Sequence, residues 1–473
     1  IEVEMSTKRA CDACHRRKIR CAGGQPCWNC GHASLSCTYN AIPQKKGPKG
    51  NRAKVISELR ETKLRDHANT GGYVDGFDTV TPPLSPPSSH KSEIIDQQLV
   101  SRCIESFFIH LYPTIPIFEK GALLNRAKNM STSIDNYCLM TSLCAFVLTQ
   151  PGHRVNVSDF SGGSRLTSHD LGKATFEEAI RIRKLSSFIE RPNSDAVVTA
   201  YLLFGCCFYL DKHSTAWFYL REAATLAEII GMDEESYYLS TDTTAGIRER
   251  RLFWVIFITE RSYALQKHRS LTLHPKLTLP TLYEDSNDFS AISALTQRVN
   301  LFRPLDDDFV GLWNKTKTTC TAQWLVQLQQ QLTDVLPEKL AGTESQVADL
   351  KTTQQWLHIV IWRVSMASGF LSSTSPHPAM RFTYPVDIAR DLIEGTSDIA
   401  LRSMSIHGSA LTEKLFDIAC SLMDVMACTP ANPSTATIAV GPKTYLNRLC
   451  SLLSRLPGGS SRYLPVLLSR VDD

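Results

Sequence analysis

Six cysteines crowd into the first forty residues of this sequence with a spacing suited to metal binding. The unit C-x2-C-x6-C occurs twice, joined by the loop "AGGQP". Its cysteines are Cys11, Cys14, Cys21, Cys27, Cys30 and Cys37. Thiolates are good zinc ligands, and each C-x2-C pair can hold one ion. The six-residue gap leaves room for about one and a half turns of helix before the third thiolate.

The number of thiols favours two shared metal ions over one. A tetrahedral zinc takes four ligands, so six thiolates exceed a single site. Two ions need eight ligand positions, which six thiolates fill if two of them bridge, and the repeat predicts one bridging cysteine in each half. Disulfides and a copper–thiolate cluster are weaker alternatives, because no apolar secretory signal opens the sequence and a long apolar chain follows. With the thiol count complete, we expect His15 and His32 at the surface.

The two halves of the repeat differ in charge. The first gap, "HRRKIR", contains Arg16, Arg17, Lys18 and Arg20, whereas the equivalent second gap, "GHASLS", contains no charged residue when histidine is neutral. Metal binding needs the same scaffold in both halves, so the cations serve another purpose. Lysine and arginine donate to guanine O6 and N7 and neutralise phosphates. We therefore expect the first half to contact DNA, although a charge run can also be only a solvated face.

Charge along the whole chain has the same asymmetry. The 473 residues carry a net charge of +4, with 43% apolar and 21% charged residues. Residues 5–65 contain 14 Lys and Arg against 3 Asp and Glu, a local charge of +11, while residues 66–473 sum to −5. A basic head on a mildly acidic body predicts a polyanionic partner for the head. The longest apolar runs, 196–210 and 252–258, are shorter than the roughly 20 residues of a membrane helix, so we expect no membrane association.

On these residues the sequence resembles the fungal zinc binuclear cluster (Zn2Cys6) family of transcription factors. The likeness covers residues 11–37 in full, including Pro26 before the fourth cysteine. It implies two zinc ions with Cys11 and Cys27 as the bridging ligands. It also implies that the first helix enters the major groove and reads a CGG-type triplet through Lys18. Nuclear localisation and action on RNA polymerase II genes follow from the same likeness.

Basic residues continue beyond the cluster. Lys45, Lys46, Lys49, Arg52 and Lys54 follow it, and "KKGPKG" cannot be helical through its Gly-Pro, so we expect it to lie extended along phosphates. The same residues fit a nuclear import signal. The segment "RAKVISELRETKLR" is either a dimerising helix or a short solvated one, because it offers barely two heptads. Homodimer and monomer both stay open.

The rest of the chain reads as helical. "AWFYLREAATLAEIIG" (216–231) places apolar residues at helical spacing and ends on Gly231, and "FEEAIRIRKLSSFIE" (176–190) and "IRERRLFWVIFITERSYALQ" (247–266) also predict helices. These segments resemble the family's regulatory region, as do 106–120, 301–314 and 380–393. That likeness implies regulation, in some members by a small-molecule effector.

The predicted fold is a small Zn2Cys6 module of two short helices, joined by a disordered linker to a large all-α domain. We expect the DNA-binding module at 8–40, a basic linker at 41–65, a disordered linker at 66–93 and the regulatory domain at 94–473. The linker 66–93 is rich in Gly, Pro, Ser and Thr and has too few apolar residues to fold alone.

Two features of the large domain invite a functional interpretation. "LDDDFVGLWN" has the acidic and aromatic mixture of activation segments, but we favour a helix start with aspartates in its first turn. The other nine cysteines lack C-x2-C pairing and are expected to be small buried hydrophobes.

Two rival classes remain beside a DNA-binding regulator that acts on the transcription machinery. One is an enzyme whose cluster is only structural, and the other is an adaptor. Residues 94–473 contain no G-x-S-x-G, H-E-x-x-H, P-loop or G-x-G-x-x-G motif, so we expect no enzyme. The four cations in the first gap argue against an adaptor, because an adaptor does not need them on a helix that fits the DNA groove.

Overall fold

A computed structural model describes residues 10–39, 95–151, 155, 167–240, 243–274, 276–281, 288–428 and 441–469. The chain divides into two compact units, within residues 1–88 and 89–473. Every regular element in the described ranges is helical, and none is a strand, which confirms the predicted fold class. The predicted boundaries near residues 40, 65 and 93, with both linkers, lie outside the described residues.

The first unit contains two short helices, one in each half of the cysteine repeat. They are α1 (Asp12–Arg17) and α2 (Trp28–His32). Each begins directly after the first cysteine of its half, whose backbone is extended and forms the N-cap. Such short helices are marginal alone, so their stability must come from other contacts.

The second unit is a helical domain. Its first ten helices are α3 (Gln97–His110), α4 (Lys120–Lys128), α5 (Ile134–Thr149), α6 (Ser168–Arg183), α7 (Ser194–Tyr209), α8 (His213–Ile229), α9 (Glu235–Ser240), α10 (Thr243–Lys267), α11 (Phe289–Phe302) and α12 (Asp307–Trp313). The remaining helices are α13 (Ala322–Val335), α14 (Glu344–Ala367), α15 (Tyr384–Gly395), α16 (Leu401–Ser405), α17 (Gly408–Cys428), α18 (Pro442–Arg455) and α19 (Leu464–Ser469). A short 3-10 turn at Pro378–Met380 and a π turn at Gly459–Tyr463 complete it.

The core of this domain is built around helices that are apolar on all sides. In α7 every residue from Ala196 to Cys207 is buried, and α5 is buried from Cys138 to Thr149. A helix without a polar face lies in the centre of a domain. The two central helices approach closely at Gly205, where an added Cβ would overlap the Phe146 ring.

Helix prediction from apolar spacing was right for two of the three segments and wrong at one end of the third. Segments 216–231 and 247–266 correspond to α8 and α10, and Gly231 follows α8 with a φ of +82°. Segment 176–190 is helical only as far as Arg183. Beyond that point the chain turns back, and the Phe188 ring covers the buried Arg183 guanidinium at 4.0 Å. The helix therefore ends earlier than the spacing alone predicts.

The acidic segment at residues 305–314 is a helix start, as favoured. Asp306 is the N-cap of α12, and its carboxylate accepts the Phe309 N–H at 3.0 Å. Phe309 and Val310 are buried behind it. The aspartates therefore satisfy the helix N-terminus, while the apolar residues pack into the core.

This capping arrangement predicts opposite results at neighbouring aspartates. Asp306→Ala removes the acceptor of an N-terminal N–H and should lower the free energy of unfolding by about 1 kcal/mol. Asp308→Ala removes only an exposed ion pair with Lys317 and should cost less than about 0.5 kcal/mol. Urea unfolding followed by circular dichroism distinguishes them, and equal effects at both positions would contradict the cap.

The cysteines outside the cluster are mostly buried, as expected. Cys103, Cys138, Cys144, Cys206, Cys207 and Cys420 are buried. Cys320 and Cys450 are half-buried, and Cys428 is exposed at the end of α17, which departs from the expectation. Among the described residues, no helix combines the length and apolar character needed to cross a membrane.

Candidate metal centre and nucleic-acid interface

The first cysteine of each half contacts thiols of the other half. Cys11 Sγ lies 3.6 Å from Cys30 Sγ, and Cys27 Sγ lies 3.6 Å from Cys14 Sγ. Cys11 Sγ and Cys27 Sγ are 3.8 Å apart. These four buried sulfurs all lie within 4.8 Å of one another. The first cysteines therefore touch ligand atoms from both halves, as bridging ligands must.

The sulfur spacing fits zinc. A tetrahedral zinc holds its thiolates at about 2.3 Å, which places two ligand sulfurs about 3.8 Å apart. The crossed distances of 3.6–3.8 Å match that edge length. The Cys14 N–H also donates to Cys11 Sγ at 3.5 Å, and this bond is the main cause that lowers the pKa of Cys11 to about 6. A hydrogen-bonded thiolate is the form that ligates a metal.

The third cysteines lie beside this group in equivalent places. The Cys11 N–H points at Cys21 Sγ with an N···S distance of 3.5 Å, and the Cys27 N–H points at Cys37 Sγ at 3.2 Å. Cys37 is buried and Cys21 half-buried. The structure thus brings four of the six predicted ligands into one group and places the other two next to their own first cysteines.

The residue four positions after the second cysteine is left-handed in both halves. Lys18 has a φ of +55° and directly follows α1, whereas Ser34 has a φ of +50° and lies two residues past α2, which ends one residue earlier. The next residue then bonds back to the second cysteine of its half: Ile19 N–H to the Cys14 carbonyl at 3.2 Å, and Leu35 N–H to the Cys30 carbonyl at 3.0 Å. The two halves therefore share one backbone scaffold down to its left-handed closing residue.

Comparison with known proteins agrees with this geometry. Residues 9–47 match the fungal Zn(2)-Cys(6) binuclear cluster domain, and residues 104–333 match the fungal specific transcription factor domain. The chain belongs to the fungal Zn2Cys6 transcription factors. Its cluster domain binds two zinc ions, and the protein is a DNA-binding transcription regulator.

Individual relatives extend the likeness across most of the chain. The maltose fermentation regulatory protein MAL13 of Saccharomyces cerevisiae is 22% identical, over 89% of this chain and 84% of its own. The probable sucrose utilization protein SUC1 of Candida albicans is 24% identical over 88% and 78%. The azaphilone cluster-specific transcription factor azaR of Aspergillus niger is 24% identical over 56% and 59%. Of these relatives, MAL13 is by name a regulatory protein and azaR a transcription factor.

In this Zn2Cys6 protein the predicted DNA-contacting cations surround the end of α1. Arg16 and Arg17 form the last turn of the helix, and Lys18 closes it. Arg20 lies three residues past the helix, so the helix is shorter than the gap "HRRKIR" suggested. All four side chains are exposed, and within residues 10–39 none of them forms an ion pair. The cations are thus free to meet an external anion.

The corresponding surface of the second half is uncharged. Residues 31–36 are exposed, as are His15 and His32, which confirms that neither histidine is buried beside a metal. Trp28 is 71% exposed at the start of α2 and lies next to His32, with ring centroids 5.4 Å apart and the ring planes tilted by 31°. One scaffold therefore displays a cationic surface in one half and a neutral surface in the other.

Several side chains that hold the module together were missed in the sequence. Asn29 Nδ2 donates to the Arg20 carbonyl at 2.7 Å and so ties the second helix to the loop that follows the first. Thr38 Oγ1 donates to the Asp12 carboxylate at 2.8 Å. These polar groups show no spacing pattern, so only the folded geometry identifies them. Lys45, Lys46, Lys49 and Arg52, like the basic linker as a whole, lie outside the described residues.

Proposed function

We propose that all six cysteines ligate the two zinc ions, with Cys11 and Cys27 bridging. The crossed distances support the bridging roles, because each first cysteine meets a thiol of the opposite half. Cys21 and Cys37 would then complete the two tetrahedra, one on each side of the bridged pair. The zinc ions would fix the two helices against each other, since neither helix is long enough to be stable alone.

The same protein would read a CGG-type triplet in the major groove through Lys18. The observation that carries this proposal is the charge difference between two equivalent positions. Lys18 and Ser34 each lie four residues after the second cysteine of their half and share the left-handed backbone conformation, but only the first is a cation. Lys18 would donate to guanine O6 and N7, while Arg16, Arg17 and Arg20 would fix the register on phosphates. Lys45, Lys46, Lys49 and Arg52 would extend the phosphate contacts.

The remainder of the chain would regulate the DNA-binding module. We place the module at 8–40, the linkers at 41–65 and 66–93, and the regulatory domain at 94–473. The protein would act in the nucleus on RNA polymerase II genes, binding DNA as a monomer or homodimer. Its helical domain would contact the transcription machinery and respond to a small-molecule effector. An adaptor or an enzyme with a merely structural cluster is the alternative.

Selection from random duplex DNA tests this proposal directly. The zinc-loaded full chain should enrich sequences with CGG triplets, and the spacing of paired triplets would report a dimer. Enrichment should disappear after chelation, because the ligands hold the reading helix only with metal bound. A selected pool without a common triplet would support the adaptor or enzyme alternative instead.

A further inference from the structure

A cavity of about 180 Å³ lies within the helical domain, where α5, α7, α10, α11, α14 and α17 meet. That volume accommodates roughly a dozen groups the size of a water molecule. Its walls are rich in aromatic side chains: Phe146, Tyr201, Phe204, Phe208, Tyr263 and Phe302. A largely aromatic wall with a few polar groups is the usual composition of a small-molecule site.

Two amide donors in the cavity wall have no partner. Nε2 of Gln150 and Nε2 of Gln266 are both buried, and neither donates a hydrogen bond within the described residues. Gln150 is 4% exposed, so its amide is withdrawn from bulk water. Buried donors are nearly always paired, because leaving one unsatisfied lowers stability. Both amides therefore lack an acceptor among the described residues.

The charged groups of the cavity leave a surplus of positive charge. Lys414 Nζ lies 3.6 Å from Asp349 Oδ1, and Arg298 Nη1 lies 3.5 Å from Asp349 Oδ2. The single Asp349 carboxylate thus pairs with two cations, and both N···O distances are longer than those of a good hydrogen bond. Lys414 Nζ has one short partner in the described structure, the Thr353 hydroxyl at 2.7 Å. Burial lowers the pKa of His407, the other basic group, and it also lowers the pKa of Lys414, where the nearby Asp349 carboxylate opposes the effect.

We propose that this cavity binds a small organic monocarboxylate with an apolar body. The carboxylate would accept from the Gln150 and Gln266 amides and offset the unmatched cation, while the aromatic walls would enclose the apolar part. Neutral ligands would satisfy the amides but leave the positive charge uncompensated. A ligand bound there would contact helices from the N-terminal and the C-terminal parts of the domain sequence, α5 and α17 among them. This inference rests on the proposed function, and it names the chemical class of the small-molecule effector proposed there.

Matched pairs of acids and amides test the proposal on the full chain. The probes are benzoate, phenylacetate and hexanoate against benzamide, phenylacetamide and hexanamide, with glucose as a neutral hydroxylated probe. At least one acid should bind saturably by calorimetry and raise the unfolding temperature, with its amide at least tenfold weaker. No binding by any acid, equal binding by acid and amide, or binding of glucose alone would overturn the proposal.

Substitution of the unpaired glutamine separates a binding role from a structural one. Gln150→Leu removes a donor that has no protein partner, so the unfolding temperature without ligand should stay the same or rise. Acid binding should weaken at least tenfold. A fall in the ligand-free unfolding temperature with unchanged acid affinity would show that Gln150 is only structural and contradict the site.

Gln329→Leu provides the matched control. Gln329 is equally buried but outside the cavity, and both ends of its amide bond to His358. This variant should lower the unfolding temperature and keep the acid affinity. Since none of these assays contains DNA, they succeed or fail independently of CGG recognition.

Discussion

Replacing Cys14 with alanine should abolish specific DNA binding and reduce the zinc content of the protein. Cys14 Sγ belongs to the buried four-sulfur group and contacts a proposed bridging ligand, so its loss opens the coordination of at least one ion. Structural zinc in small domains contributes on the order of 10 kcal/mol to folding. We expect at least a hundredfold loss in affinity for a CGG duplex, measured by fluorescence anisotropy. Zinc content, measured by mass spectrometry, should fall below two ions per chain.

Two controls keep this result specific to the cluster. Cys428→Ala changes an exposed cysteine at the end of α17 and should leave both zinc content and DNA affinity unchanged. The thermal unfolding of the helical domain should be the same in both variants, because Cys14 belongs to the other compact unit and Cys428 is exposed. Parental DNA affinity in the Cys14→Ala chain, measured with chelator present, would exclude the cluster from DNA recognition.

How far the sequence predicts this site depends on whether a feature is local. Cysteine spacing and the unequal gaps are local patterns, and they indicated a binuclear cluster with one charged half. The end of α1 at Arg17 was not predicted, because no glycine or proline marks it and Lys18 adopts a left-handed backbone instead. The crossed sulfur contacts join cysteines from different halves of the repeat. The symmetry of the repeat predicts that such contacts exist, but their distances are known only from the structure.

The helical domain shows the same limit more sharply. Apolar spacing located α8 and α10, but it did not indicate which charged residues near the end of α10 are buried. Glu260 and Arg261 are instead buried, and the Glu260 carboxylate accepts the backbone N–H groups of Thr272 at 2.8 Å and Leu273 at 3.0 Å. These bonds give hydrogen-bond partners to backbone N–H groups in the non-helical segment that follows α10. The burial of such charged residues can be predicted only when their partners, which are distant in the sequence, are known. The same holds for Asp349 and Lys414 in the cavity.

Replacing Lys18 with glycine should reduce discrimination for CGG without disturbing the cluster. A bidentate contact from lysine to guanine contributes about 1–3 kcal/mol of discrimination, so the ratio of affinities for CGG and for a substituted triplet should fall roughly 5- to 150-fold. Glycine is suited to the φ of +55° at this position, and it removes the cation while relaxing the backbone. Weaker binding could not then be assigned to strain, and the variant should retain two zinc ions.

The pseudo-symmetry of the module supplies a matched control for that measurement. Ser34→Gly makes the same backbone change at the equivalent position of the second half, where φ is +50° and no charge is lost. It should leave affinity and discrimination unchanged, whereas Lys49→Ala should weaken all sequences to a similar extent. Equal discrimination in the Lys18→Gly and parental chains, compared at one salt concentration, would remove Lys18 from base reading. Loss of discrimination only in Lys18→Gly would mean that the first half of a symmetric metal scaffold reads the DNA, because only its closing residue is a cation.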